Sequence, residues 1–480
     1  MNGRPGGVSR PVILLLGVAA GFGTAPLWDF DVWFHLACGR AIAAAHALPA
    51  RDLFSFTAAD RPWDTHEWLF AAGLYLLHRA AGVAGLAALK TVVLAATLWL
   101  MLRRAVRNSA DPWIAAAACA AAAFTMRWLV VERPQLLTGA FVAGALLLLE
   151  RGGWWPWLLA PLTVLEANVH GGAALLAPFV TILWSLGELA DPRRRAAAGA
   201  GLGGRALLAA VLAAAVCCNP AGGRLFVYPW TTMADRLYMA NVREWTPPSW
   251  EETPASFVFL AATLAAIAVT IRRRNPSDLV TAGAFVALSL ASRRHVGLAV
   301  IALVPPFAAA ATELAARAAV PPLVRGAAAT AGAGLLLALA AWRGEALRVG
   351  VRADLYPAEA VAALGGSGRG LAPGRDVRLY ALHRWGGYAS WHLPARWKVF
   401  IDGRQLVYGP ELFADYSRIL EDAPEAPALL ARYAPDVFVI EYGTGLGRRL
   451  AADPASALVR WDDRCLVYVR RSAADPAWLR

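Results

Sequence analysis

Long apolar runs broken by short polar segments fill the first two-thirds of the chain. The run from Pro11 to Leu27 is long enough to cross a bilayer. Similar Ala/Leu/Val-rich blocks recur as far as residue 342. They predict eleven membrane spans at about 11 to 27, 84 to 102, 112 to 130, 134 to 150, 154 to 169, 172 to 190, 203 to 219, 255 to 271, 277 to 292, 295 to 312 and 326 to 342. Between the first two, His66 to Arg79 carries a helical apolar stripe closed by His and Arg, which fits an interfacial helix; a tilted span is the alternative. From Gly344 onward the pattern becomes that of a soluble domain. Short apolar segments at Val377 to Leu382, Lys398 to Asp402, Val437 to Glu441, Ala457 to Trp461 and Cys465 to Arg470 are separated by helical stretches such as Glu411 to Arg432.

The polar breaks are not alike. Arg4 and Arg10, then Arg103, Arg104 and Arg107, Arg151, Arg193 to Arg195, Arg272 to Arg274, and Arg317 with Arg325 make every second loop basic. Basic loops are retained in the cytoplasm, so the amino terminus is expected there and, with an odd number of spans, the tail outside. The expected architecture is a polytopic α-helical protein of a bacterial-type inner membrane. It has a transmembrane part over 1–343 with a long first outer loop at 28–82, and a small extracytoplasmic, periplasmic α/β domain over 344–480.

Composition agrees with this pattern, because 58% of the 480 residues are hydrophobic and only 17% are charged. The net charge of +12 then reflects anchoring beside anionic membrane lipid, and nucleic-acid binding is not expected. No cysteine spacing matches a zinc or redox site; Cys38 and Cys465 would both face the oxidising side, with nothing in the sequence to pair them.

Candidate chemistry collects in the loops left outside. Trp28-Asp29-Phe30-Asp31-Val32-Trp33-Phe34-His35 sets two carboxylates directly behind the first span. Either they are solvated loop acids, or they act as a base or hold a divalent cation such as Mg or Mn. On an extended loop Asp29 and Asp31 share a face, whereas on a helix they diverge; the alternation that continues through Trp33 and His35 favours the extended form and Asp31 for the direct role. Later outer turns add Glu132; Glu166 and His170 ahead of a Gly pair; Arg243 and Glu244; and Arg293 with Arg294. The last two break the charge rule. They either snorkel to headgroups or meet a phosphate, which guanidinium suits. His66 is a further candidate, and the stretch Leu382 to His392, with Trp385 and Tyr388, reads as a loop of either core residues or sugar- or peptide-binding rings.

An acid motif behind the first span, a second acid near the next outer loop, about eleven spans and an outer α/β domain resemble the GT-C superfamily of membrane glycosyltransferases, which includes oligosaccharyltransferases, protein mannosyltransferases and aminoarabinose transferases. The resemblance implies inverting sugar transfer from a polyprenyl-phosphate-linked donor at the outer leaflet. By position, Asp29 and Asp31 match the first acid motif, Glu132 the second, and Arg293 or Arg294 the donor-phosphate arginine. The segment Arg384 to Trp391, followed by Val399 to Arg404, is similar to the sequon-binding Trp-Trp-Asp region of oligosaccharyltransferases, but Arg384, Trp385 and Gly386 stand where the Asp is required. Protein N-glycosylation is therefore not expected. A flippase for lipid-linked sugars and a non-catalytic scaffold are the competing classes; the first would place its polar groups near mid-span, whereas here they fall at span ends.

Overall fold

A computed structural model of the protein describes residues 9–59, 61–191, 202–234, 239, 243–271, 275–367, 371–372 and 374–476. Arg4, Arg193 to Arg195 and Arg272 to Arg274 of the expected basic loops lie outside the described residues. The chain is mostly helical with one small sheet, and it divides into two compact units. The first holds Met1–Leu27, Ala81–Thr231 and Met239–Gly350; the second is built mainly from Trp28–Ala80 and Val351–Arg480.

Helices stand at each expected apolar block. Trp68–Arg107, Gly171–Ala190, Arg293–Arg317 and Pro322–Trp342 are long and apolar enough to cross a membrane, while Ser9–Gly23, Pro112–Thr125, Gly203–Val216, Pro254–Thr270 and Pro276–Ala291 are apolar but shorter. The 14 residues of Pro112–Thr125 reach only about 21 Å at 1.5 Å per residue. Val296–Arg317 is the central helix, buried over most of its length and packed on the Pro112–Thr125, Gln135–Arg151, Pro254–Thr270 and Pro276–Ala291 helices. Alanine lines the buried face of Pro112–Thr125, which lets neighbouring backbones come close.

One expected basic loop turns inward. Arg104 is buried, donates to Glu150 at 3.0 Å and pairs with Asp278, joining the ends of three helices. Beyond it, Arg325 bonds Asp111 at 3.0 Å, and Asp111 caps the Pro112–Thr125 helix through Trp113 and Ile114.

The stripe at 66–79 is helical but does not end in a loop: Trp68–Arg107 is continuous except at Gly82, where φ 56° and ψ −148° break the helix. Only glycine occupies that region readily, so the break separates the amphipathic first part from the apolar second part.

The second unit is organised on five strands: β1 (Val377–Ala381), β2 (Trp397–Val399), β3 (Val437–Ile440), β4 (Ser456–Trp461) and β5 (Leu466–Arg470). Their order is β2-β1-β3-β5-β4, parallel from β2 through β3 and antiparallel from β3 through β4. Each lies where the alternating segments predict. β3 is buried along its whole length, as a central strand covered on both faces requires. The first outer loop folds onto this domain. Val399 donates to the Phe54 carbonyl at 2.9 Å and Phe56 to the Val399 carbonyl at 3.1 Å, so the loop runs beside β2 as a further edge.

Two local expectations are overturned here. Val32–Ala45 is a helix, not an extended loop, so Trp33 and His35 do not continue one face with Asp31. Trp33 packs among Tyr356, Tyr388 and His392, while His35 meets Phe70 and lies 3.9 Å from Glu67. The stretch Leu382 to His392 is likewise a helix, His383–His392. In both, aromatic side chains at helical spacing find packing partners, and this outweighs the alternating pattern.

Candidate functional site

At one end of the helical unit the turns expected on the outer face converge. The Gln135–Arg151 helix brings Thr138 in its first turn, and the Leu159–Val169 helix brings Glu166 in its last. His170 ends the second of these helices in a non-helical conformation, where the Gly171–Ala173 turn begins. Thr138 Oγ1 lies 2.5 Å from Glu166 Oε1 and 2.7 Å from His170 Nδ1, and all three residues are buried. His170 Nε2 in turn accepts from Arg294 Nη2 at 3.3 Å.

A second strand of contacts reaches the same turn. The 3-10 turn Arg243–Trp245 is tied to it through Ser292 Oγ, which donates to the Glu244 carbonyl at 2.9 Å, and through Arg293 N, which donates to the Thr246 carbonyl at 3.1 Å. Trp245 lies under Arg294 at 5.0 Å. Arg133 pairs with the Glu244 carboxylate at 2.5 Å. Burial pushes that carboxyl upward, but Arg133 and then Arg294 overcome it and hold Glu244 below the usual range. Arg293 differs from its neighbour: it pairs with Glu252 and donates to the Pro247 carbonyl at 3.2 Å. The side chain of Arg243 lies outside the described residues.

Glu132 occupies a place of its own in this unit. It is fully buried and pairs with Lys90 at 2.5 Å; Lys90, also buried, donates to the Ala25 carbonyl at 2.7 Å. The sequence reading passed over Lys90. Its signal was there, since it is one of two lysines in the chain and the only ionisable residue of an otherwise apolar stretch, where such a residue marks function by default.

In the second unit, Asp29 is buried and its Oδ1 accepts the Asp31 N–H at 2.9 Å, while Tyr356 donates to its backbone carbonyl at 2.9 Å. This closes a small turn that hands the chain into the Val32–Ala45 helix. Asp31 is half-buried at the helix start and its side chain makes no cap. It faces Gly403, where a Cβ would collide with its carboxylate, so the Asp402-Gly403-Arg404 turn leaves room for an acid. Arg404 is buried. It forks onto Asp402, reaches Asp52 at 2.6 Å and Tyr408 at 2.9 Å, and lies over Trp63 at 4.6 Å.

The other sequence candidates in this unit are placed less openly. Trp385 is fully buried with Nε1 donating to the Leu355 carbonyl at 3.0 Å, and Tyr388 stacks on Tyr356 at 5.0 Å, so both rings are packed. His66 is half-buried, with Nδ1 3.0 Å from the Asp64 carbonyl. Cys38 and Cys465 are both buried free thiols. Among the described residues no three His, Cys, Asp or Glu gather as a metal site.

Similar folds are known among solved structures. The apo oligosaccharyltransferase of Archaeoglobus fulgidus superposes with a TM-score of 0.62 at 12% identity, covering 89% of this chain and 69% of that one. The AglB oligosaccharyltransferase of the same organism, in complex with an inhibitory peptide and a dolichol-phosphate, matches equally, with 0.62, 12%, 90% and 69%. ArnT from Cupriavidus metallidurans, in the apo state, gives 0.53 at 14% identity over 97% of both chains. This chain has a GT-C-like fold. No family model and no curated protein matches the sequence, so the likeness is one of architecture. The chain covers 97% of ArnT and 69% of the Archaeoglobus oligosaccharyltransferase.

Proposed function

We propose that this protein is a membrane glycosyltransferase that moves a sugar from a polyprenyl-phosphate-linked donor to an acceptor at the outer face of the membrane, with inversion at the anomeric carbon. The observation that carries this reading is the convergence of the outer turns on Arg294 at one end of the helical unit. There a guanidinium is held by the His170 imidazole and the Trp245 ring, an arrangement suited to a phosphate. In the reaction the acceptor's nucleophilic atom attacks the anomeric carbon as the bond to the phosphate oxygen breaks, and the electron pair leaves with the phosphate. Arg294 neutralises that charge as it forms. Asp31 takes the acceptor's proton, and Asp29 shapes the turn that presents it.

Two features support the enzyme over a flippase. Polar groups gather at a helix end, whereas alternating access calls for a site at the midplane. The solved folds it resembles include oligosaccharyltransferases, one captured with dolichol-phosphate and a peptide.

The test is transfer from a synthetic polyprenyl-phosphate sugar by the purified chain. Asp31→Asn should cut turnover by roughly 100-fold or more while donor binding persists, and Asp29→Asn should cut it less. Near wild-type turnover in both variants would take the acid motif out of the mechanism.

A further inference from the structure

We infer that His170 is a positioning residue for Arg294, locked in its Nδ1–H tautomer by a one-way hydrogen-bond chain through Thr138 to Glu166. The inference rests on the reading above that Arg294 meets the donor phosphate.

The direction of the chain follows from what each group can give. A guanidinium has only N–H donors, so the His170 Nε2 facing Arg294 Nη2 at 3.3 Å presents its lone pair. A neutral imidazole with a bare Nε2 carries its proton on Nδ1. That proton points at Thr138 Oγ1, 2.7 Å away, and the hydroxyl's own proton goes to Glu166 Oε1, 2.5 Å away. Reversing the order would put an Nε2–H against the guanidinium. Thr138, Glu166 and His170 are only 3%, 4% and 5% exposed, so water does not substitute for a lost link and an unmade bond costs the full desolvation of its group.

The arrangement does something a carboxylate partner would not. Arg133 and Arg293 are each paired with a glutamate, Glu244 and Glu252. Arg294 is instead hydrogen-bonded to a neutral nitrogen and lies over the Trp245 ring; Glu244 acts on it through space, but no carboxylate among the described residues bonds its guanidinium directly, so its N–H donors remain for an anion. The carboxyl group of the chain, on Glu166, is set two links back. The relay also gathers Thr138, Glu166 and Arg294 from three separate helical elements, so it aligns the helix ends and the cation together.

The experiment uses the full chain in lipid nanodiscs with a sugar-free polyprenyl phosphate as probe. Arg294→Ala should weaken binding at least about tenfold, and His170→Leu about three- to tenfold. His170→Gln, whose Oε1 still accepts from the guanidinium, should stay within about twofold of wild type. In the Arg294→Ala background His170→Leu should have no further effect, because its role runs through that side chain. Independently of binding, the ring 15N shifts of His170 in wild type at neutral pH should report the Nδ1–H tautomer, and Thr138→Val should shift it toward Nε2–H. An Nε2–H or doubly protonated ring in wild type, or losses that add in the double variant, would overturn the inference. If Arg294→Ala binds the lipid unchanged, the donor reading and the positioning role fall together, while the 15N measurement still judges the hydrogen-bond chain by itself.

Discussion

The buried arginine Arg404 shows what one residue is asked to do outside the helical unit. Its charge is offset by Asp402 and Asp52, and it is enclosed by Phe54, Trp63 and Tyr408. Removing one partner of such a pair leaves charge uncompensated in a buried place, which costs about 3–5 kcal/mol. Asp52→Asn should therefore lower the melting temperature of the purified protein at neutral pH by several degrees. The pH dependence has a defined sense. Burial pushes the Asp52 carboxyl up, yet Arg404, Ser55 and the Phe54 N–H together hold it below its ordinary value, so folding favours the ionised form. That stabilisation is complete above the unfolded carboxyl's value of about 4 and is lost as the pH falls through the lower folded one. Wild type and Asp52→Asn should accordingly converge in acid; a constant gap between their melting curves from neutral to acid pH would show that the carboxylate's charge is not what matters. Asp52 and Arg404 were invisible as partners in the sequence because nothing local links them. Asp29 and Asp31 stood out by contrast, since a short acidic motif behind an apolar run is conspicuous in itself. Their geometry was not legible: the alternation that grouped Trp33 and His35 with Asp31 gave way to a helix once tertiary packing was available to its aromatic side chains.

At the scale of elements, positions were read more faithfully than ends. Each apolar block holds a helix and each alternating segment of the tail a strand, because burial acts on the periodicity itself. Several helices are shorter than the blocks that announced them, since the Arg127–Leu129 turn takes over the end of one block and the Trp155–Leu158 and Gly171–Ala173 turns the start of two others. Lys90 escaped notice for a related reason, as a single charge scarcely alters the hydropathy of the block around it. Gly82 is where an element-scale test is sharpest. A side chain there meets a backbone conformation that costs about 1–3 kcal/mol to hold, so Gly82→Ala should either destabilise the protein by that amount or straighten Trp68–Arg107 into one uninterrupted helix. Paired spin labels at Leu76 and Val92 distinguish the two, because a straightened helix lengthens their separation. An unchanged separation together with unchanged stability would remove any role for the kink.

At the scale of the whole molecule, the alternation of basic loops makes a claim about sidedness. Reporter fusions after Arg151 and after Asp475 should report opposite compartments, cytoplasmic and external; the same compartment for both would undo the expected count of spans. The junction of the first outer loop with β2 bears on a different matter, the order in which the protein is made. Asp52 and Arg404 are 352 residues apart, and the edge that Phe54 and Phe56 add to Val399 spans nearly as far. At about 5–20 residues per second, the ribosome needs tens of seconds to deliver those partners after the loop has emerged. For that interval the acid motif is attached to a segment with nothing to fold against, so its final fold waits until the last quarter of the chain arrives. Nascent chains halted at residue 350 should have an intact helical unit but a protease-sensitive Trp28–Ala80, and extension past residue 440 should protect it. Synthesis order thus acts as a built-in delay on the appearance of the acid motif in its folded form.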